Sequence, residues 1–188
     1  MPHSHAQQAR EILAHAELVF DEDAVQAAVD RVAADLNARF DHADSASYPL
    51  VLGVMGGAVV FAGQLLTRLK FPLEFDYIHV TRYGNQHQGG HIEWKVEPRA
   101  DVRGRTLIVL DDILDEGETL AHVKQRLLDM GAKEVLLAVF ANKDIGKSKP
   151  VTADYVGLVL PNKFVIGFGM DAYGYWRNLG SIWAIPPK

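Results

Sequence analysis

Residues 108–120 read Ile-Val-Leu-Asp-Asp-Ile-Leu-Asp-Glu-Gly-Glu-Thr-Leu. Three aspartates, Asp111, Asp112 and Asp115, follow an apolar run, and Gly117 and Thr119 come just before a second apolar period. Carboxylates this dense suit proton transfer, the holding of sugar hydroxyls, or a hard cation such as magnesium. The stretch after them adds a second chemistry. A helix opening near Gly117 presents N–H groups without intrahelical partners and the positive end of its dipole, which suits a phosphate. Glycine there lets the backbone approach such a group closely. Phosphate and carboxylates coexist where the carboxylates take hydroxyls or magnesium rather than the phosphate itself. The segment is neither of two familiar nucleotide loops, because GxxxxGK[ST] and GxGxxG are both absent. The plain alternative is a solvated acidic turn between a strand and a helix.

These groups need a scaffold, and the apolar rhythm around them predicts one. Arg105–Leu110 reads as a buried strand, 117–130 as a helix stopped by Gly131, and Val135–Phe140 as another strand. Upstream, 49–55 is a short apolar strand, followed by Gly56-Gly57 and a helix to about Arg68. Residues 73–80 alternate as a strand does, and 92–96 read as a return strand. Between them, 82–91 holds glycines, glutamines and histidines with no apolar period, the pattern of a long mobile loop. Strand, helix, strand, strand, helix, strand predicts an α/β fold with a mostly parallel sheet covered on both faces. In front of this core, 5–20 reads as an amphipathic helix. Asp21-Glu22-Asp23 opens a second helix, along which Val25, Val29, Val32, Leu36 and Phe40 recur at helical spacing. After Pro150, short strands, glycines and aromatics suggest a small subdomain over the sheet edge. One domain over 1–188 is expected, with N-terminal helices (1–45), a core (50–145) and a C-terminal segment (150–188).

Composition narrows the function classes. The chain has 188 residues, 48% hydrophobic and 23% charged, which excludes a disordered or low-complexity chain. At this length it buries roughly 70% of its unfolded surface and needs no covalent staple. It has no cysteine, so a thiol nucleophile, a disulfide scaffold and a Cys-ligated metal are excluded. The net charge of −5, with no long basic run, argues against nucleic acid as a partner. No stretch approaches the roughly 18 apolar residues of a membrane span, and no secretory signal opens the chain. A cytoplasmic protein is expected. His3 and His5 read as a solvated tail, and His87 and His91 as solvent-facing.

The segment 109–120 resembles the phosphoribosyl-diphosphate (PRPP) motif of type I phosphoribosyltransferases. From about Leu50 to Ile185 the chain resembles their hypoxanthine-guanine branch. Pro161-Asn162-Lys163-Phe164-Val165-Ile166-Gly167-Phe168-Gly169-Met170-Asp171 and Tyr175-Trp176-Arg177-Asn178-Leu179 carry that branch. The resemblance implies the type I fold, with a hood subdomain over the sheet and a flexible lid. Asp111 and Asp112 match the pair that holds the ribose hydroxyls, directly or through Mg2+. Asp115 matches the carboxylate beside N7 of the purine, and Asp115, Glu116, Gly117, Glu118 and Thr119 match the loop that cradles the 5-phosphate. Met55, Gly56 and Gly57 match a pyrophosphate loop, Arg82 and Tyr83 the start of the lid and pyrophosphate contacts with it, and Arg177 a further pyrophosphate contact. Lys143 matches the lysine that donates to O6, Phe164 the ring that stacks on the base, and Val165 a backbone reader of its edge. Asp171 matches a magnesium ligand.

Several positions depart from the family's usual residues. Glu116 and Glu118 place negative charge beside a phosphate, so their side chains are expected to point outward. Gly56 stands where relatives often carry a basic residue, and Arg82 is expected to offset that loss at the pyrophosphate. The implied activity is transfer of the phosphoribosyl group of PRPP to hypoxanthine or guanine, giving IMP or GMP and pyrophosphate in purine salvage. The implied partners are PRPP, a 6-oxopurine base and other copies of the chain in a homodimer or homotetramer. A xanthine-preferring enzyme and a non-catalytic PRPP- or nucleotide-sensing regulator of the same fold are the alternatives.

Overall fold

The computed structural model describes residues 5–41, 48–83 and 91–186. The chain opens with helix α1 (His5–Ala14) and strand β1 (Glu17–Phe20). The single helix expected over 5–20 is therefore interrupted. Leu18, Val19 and Phe20 favour extended backbone, and β1 pairs antiparallel with strand β9 (Ile182–Ile185), Leu18 opposite Trp183 and Phe20 opposite Ile182. Helix α2 (Glu22–Phe40) starts where expected: Asp21 caps it by accepting from the Ala24 N–H at 2.9 Å. Its Val25, Val29, Val32, Leu36 and Phe40 are buried along one face.

The core alternates strand and helix: β2 (Leu50–Met55), α3 (Val59–Leu66), β3 (Glu74–Tyr83), β4 (His91–Val96), β5 (Thr106–Leu114), α4 (Glu118–Asp129), β6 (Glu134–Lys143) and β7 (Tyr155–Leu160). The sheet order is β4-β3-β2-β5-β6-β7, with every pairing parallel except β3–β4. This is the mostly parallel α/β sheet that the rhythm predicted. Helices α2 and α3 cover one face with Val25, Val29, Leu36, Phe61 and Leu65; α4 covers the other with Leu120, Val123 and Leu127. β5 lies between β2 and β6, and Leu107 to Leu110 are fully buried.

Four boundaries differ from expectation, each with consequences for the site. β3 continues to Tyr83 and β4 starts at His91, so Arg82, Tyr83 and His91 are strand residues rather than part of the expected 82–91 loop. β5 continues to Leu114, so Asp111 and Asp112 lie inside a strand rather than beyond its end. β6 continues to Lys143, which is its last residue rather than a loop residue. β7 joins the main sheet beside β6, so the segment after Pro150 is only partly a separate subdomain. The rest of it, β8 (Phe164–Ile166) and β9, makes a three-stranded sheet with β1 in the order β1-β9-β8. The N-terminal segment thus completes the hood and also covers the core. The Trp176 indole N–H donates to the Ala9 carbonyl at 2.7 Å, tying α1 to the same layer. Among the described residues, no helix is long and apolar enough to cross a membrane.

Phe140 of β6 packs between helix α3 and the hood segment that follows β8. It is fully buried, 5.8 Å from the Phe61 ring and 4.3 Å from the Phe168 ring. Truncation leaves a cavity that rigid sheets cannot close, so Phe140→Ala is expected to lower unfolding free energy by about 3–5 kcal/mol. Denaturant titration measures it; a loss near zero would show that the hood does not pack on the core through this ring.

Candidate active site

The carboxyl ends of β2, β5 and β6 meet the hood. Asp111 and Asp112 each retain only 9% of their surface. Asp111 accepts from the Asp112 N–H at 2.9 Å. Burial pushes the Asp111 carboxyl well above the ordinary range, and the charge of Asp112 adds to the shift. Burial also raises Asp112, while hydrogen bonding with Asp111 and the charge of Arg177 pull it partly back. The pair therefore favours holding a proton on Asp111, or a cation in its place.

Glycines frame this pair. The Met55–Gly56 peptide at the end of β2 is cis. A Cβ on Gly57 would lie 2.1 Å from Asp112 Oδ2, so a larger residue would displace the Asp112 carboxylate. Gly169, in the left-handed region at φ +100°, packs on Gly57 in turn, and a Cβ there would lie 2.2 Å from the Gly57 carbonyl. Arg177 donates to the Gly169 carbonyl and pairs with Asp171, each at 2.5 Å. Asp171 also accepts from the Gly174 N–H at 2.6 Å. Arg177 and Asp171 thus brace the hood backbone over the pyrophosphate loop expected at Met55–Gly57.

The second group of residues surrounds a cavity of about 720 Å³ lined by Arg82, Asp111, Asp115, Glu118, Thr119 and Lys143 among others. Gly117 has φ +87° and caps α4. The first helical bond there runs from the Ala121 N–H to the Gly117 carbonyl, so the N–H groups ahead of Ala121 lie outside the intrahelical ladder. Lys143, 8% exposed, pairs through Nζ with Asp115 Oδ2 at 2.5 Å, while the Asp115 side chain stays about half exposed. An amine donor and a carboxylate therefore stand together at the edge of the phosphate cradle.

Arg82 sits elsewhere than expected. Its Nη1 is 3.2 Å from Glu116 Oε2 and its Nη2 is 2.6 Å from Glu118 Oε2. The guanidinium spans the two glutamates of the phosphate loop instead of extending to the pyrophosphate loop. Both glutamates are about half exposed, but both line the same cavity rather than pointing away from it. One cation against two carboxylates reduces the repulsion a phosphate would meet.

Phe164 opens β8 yet is 58% exposed, whereas its neighbour Val165 is buried. An exposed ring at a strand start is free to stack on a ligand. It does not line the cavity; the hood reaches that wall through Asn162. Tyr83 ends β3 opposite His91. The rest of the expected lid, 84–90, lies outside the described residues, as do His3 and His87. Gly56 has open space around it.

Among the described residues, no three or more His, Cys, Asp or Glu side chains gather as a metal cage. Magnesium commonly takes one or two carboxylates and completes its shell with substrate oxygens and water. The buried Asp111–Asp112 pair, with its raised carboxyls, fits an ion that arrives with its substrate.

The sequence reading missed Lys149. Its Nζ donates to the Leu114 carbonyl at 2.7 Å, the Asn142 side-chain oxygen at 2.6 Å and the Lys143 carbonyl at 2.6 Å. A lysine in a polar loop before a proline carries no signal of this in its spacing. Gly169 likewise gives no sign in sequence of its contact with Gly57, which only the fold creates.

The family profile described as "phosphoribosyl transferase domain" matches residues 15–173. The bifunctional protein TilS/HprT of Listeria innocua is 34% identical over 172 residues, 91% of this chain and 26% of that protein. The chain thus spans about a quarter of that relative's length. A hypoxanthine-guanine phosphoribosyltransferase of Lactococcus lactis is 33% identical over 141 residues, 74% of this chain and 76% of that one. Among solved structures, a hypoxanthine-guanine-xanthine phosphoribosyltransferase superposes with a TM-score of 0.78 at 28% identity, covering 91% of this chain and 97% of that one.

A carboxyl raised by folding destabilises the fold when ionised, and the penalty fades as pH falls through its folded value. In magnesium-free buffer, Asp111→Asn is expected to melt above the wild type at about pH 8, with the gap closing toward about pH 4. Paired thermal melts check this. A gap independent of pH, or a less stable variant at the alkaline end, would contradict the burial argument.

Proposed function

The chain belongs to the phosphoribosyl transferase family, and from that premise we propose that it transfers the phosphoribosyl group of PRPP to hypoxanthine or guanine, giving IMP or GMP and pyrophosphate. The observation that carries this reading is the Lys143–Asp115 pair at the rim of the phosphate cradle. Lysine has donors and no acceptor. It can donate to the O6 carbonyl of a 6-oxopurine, and the amino group of adenine offers nothing in return. Asp115 beside it suits N7, as an acid/base or as a counter-charge to the base.

The other residues take roles that their positions support. The backbone of Asp115–Thr119 holds the 5-phosphate at the start of α4, with Arg82 screening Glu116 and Glu118. Asp111 and Asp112 take the ribose hydroxyls. Magnesium held by that pair together with substrate oxygens, or by Asp171 separately on the pyrophosphate side, would neutralise charge on the departing pyrophosphate. Arg177 and the Met55–Gly57 loop take the pyrophosphate itself. Substitution at the anomeric carbon builds cationic character on the ribose, and the buried carboxylates stabilise it. Phe164 stacks on the purine and the Val165 carbonyl reads its edge. Arg82 and Tyr83 lead into a segment that shields the sugar from water during transfer. The same reading places the enzyme in the cytoplasm as a homodimer or homotetramer.

Turnover with PRPP and magnesium, measured against hypoxanthine, guanine, xanthine and adenine in parallel, tests the activity. Nucleotide is expected from hypoxanthine and guanine and not from adenine. Tight PRPP binding without turnover of any base would instead identify a sensor. A second test addresses Asp115. Asp115→Asn is expected to lower kcat by about 100-fold or more, with the PRPP dissociation constant changed only a few-fold. Near-normal kcat would remove Asp115 from the chemistry.

A further inference from the structure

Lys149 lies in the loop between β6 and β7, behind the Lys143–Asp115 pair. Three acceptors converge on its ammonium: the Leu114 carbonyl, the Lys143 carbonyl and the Asn142 side-chain oxygen, at 2.6–2.7 Å. An ammonium has three donors, and all are used. The position of these acceptors matters more than their number. Leu114 opposite Asn142 is the last pair in the β5–β6 register. One residue further, Asp115 and Lys143 have left that register and meet through their side chains alone. Lys143 is still held from its other side, paired with Leu160 of β7. The Lys149 ammonium therefore takes the place of the missing rung, binding the carbonyl just before Asp115 and the carbonyl of Lys143 itself.

The same residue also touches the phosphate loop. A Cβ on Gly117 would lie 3.3 Å from Lys149 Cβ and 3.4 Å from Pro150 Cδ. The stem of Lys149 thus packs under the cradle while its head holds the base-reading pair. Burial is the main influence on the ammonium and holds its pKa below the ordinary lysine range; Asp115 and Asp144 favour its cationic form, and Lys143 opposes it. Its three acceptors compensate for that lost hydration.

We infer that Lys149 is a positioning residue that sets the spacing between Asp115 and Lys143, and through that spacing the preference for 6-oxopurines over adenine. The inference rests on the proposed reading of the site as a purine phosphoribosyltransferase. A lysine that only stapled a loop would affect stability and leave selectivity alone. One that fixes the distance between a donor to O6 and a carboxylate at N7 must affect selectivity, because misplacement weakens the contact by which the two bases differ.

The test is Lys149→Met, which keeps the stem and removes every donor, alongside Lys149→Arg, which keeps cationic donors. The kcat and KM for hypoxanthine and adenine, the PRPP dissociation constant and the melting temperature are measured for each. For Lys149→Met, kcat/KM for hypoxanthine is expected to fall about 100-fold. Its hypoxanthine-to-adenine preference is expected to fall about ten-fold. PRPP binding stays within a few-fold, because the stem under Gly117 remains, and Lys149→Arg recovers part of the preference. An unchanged preference in Lys149→Met, with activity falling only as stability falls, would overturn the inference and leave the site reading intact. A wild type that turned over no 6-oxopurine would overturn the site reading, and this inference with it. If Lys149→Met does not fold, Asn142→Ala removes one of the three acceptors and is expected to lower the same preference by a smaller factor; no change there would overturn the inference equally.

Discussion

Two adjacent carboxylates, Asp111 and Asp112, are buried inside the central strand of a parallel sheet, and much of the site is arranged around them. Placing one ionised carboxylate in such surroundings is unfavourable; placing two side by side is worse. The fold offers only part of the compensation: the Asp112 N–H donates to Asp111, and hydrogen bonds with Asp111 and the backbone around Ile113, together with the field of Arg177, act on Asp112. The remaining demand is for positive charge or hydroxyl donors from outside. Under the proposed function, ribose hydroxyls and a magnesium ion would meet that demand, and the cost to the empty fold would become affinity for the ligand. The same crowding explains the glycines. Gly57 leaves room for Asp112, Gly169 leaves room for Gly57, and Arg177 clamps the layer by holding the Gly169 carbonyl.

The opposite side of the site has a different balance. The start of α4 offers unpaired N–H groups and a positive dipole end to an anion, and the charges of Glu116 and Glu118 oppose one. Arg82, from the end of β3, reaches across to both glutamates and offsets part of their charge. The acidic departure in the loop and the basic departure at the start of the lid are therefore one feature. Each makes sense beside the other and neither does alone. Between the two sides, the Lys143–Asp115 pair holds the positions at which a base with a carbonyl acceptor and a ring nitrogen would be read.

Much of this was legible in the sequence where the determining forces are local. The Asp21 cap and the helical spacing from Val25 to Phe40 put α2 where it is found. The motif over 108–120 carries its acids, its glycine and its helix start within one short stretch. The missing parts depend on distant partners. β1 reads as helix until Trp183 and Ile182, more than 160 positions away, offer it a sheet edge. β5 and β6 outrun their apolar runs because each pairs with the other through Ile113 and Ala141. Nothing in the composition of β7 says that β6 is its neighbour, so it reads as part of the hood. The partners of Arg82 are 34 and 36 positions along the chain, so its spacing does not reveal them. Lys149 carries no signal in sequence at all, since its ligands are mostly backbone carbonyls.

The most direct test of how these residues work together is a crystal structure of the protein with GMP and magnesium. The 5-phosphate is predicted on the backbone N–H groups of residues 115–119, the ribose hydroxyls at Asp111 and Asp112, and O6 of the guanine on Lys143 Nζ, with Phe164 against the ring. A nucleotide bound elsewhere, or one seated with its base away from both Lys143 and Asp115, would contradict the assignment of this site.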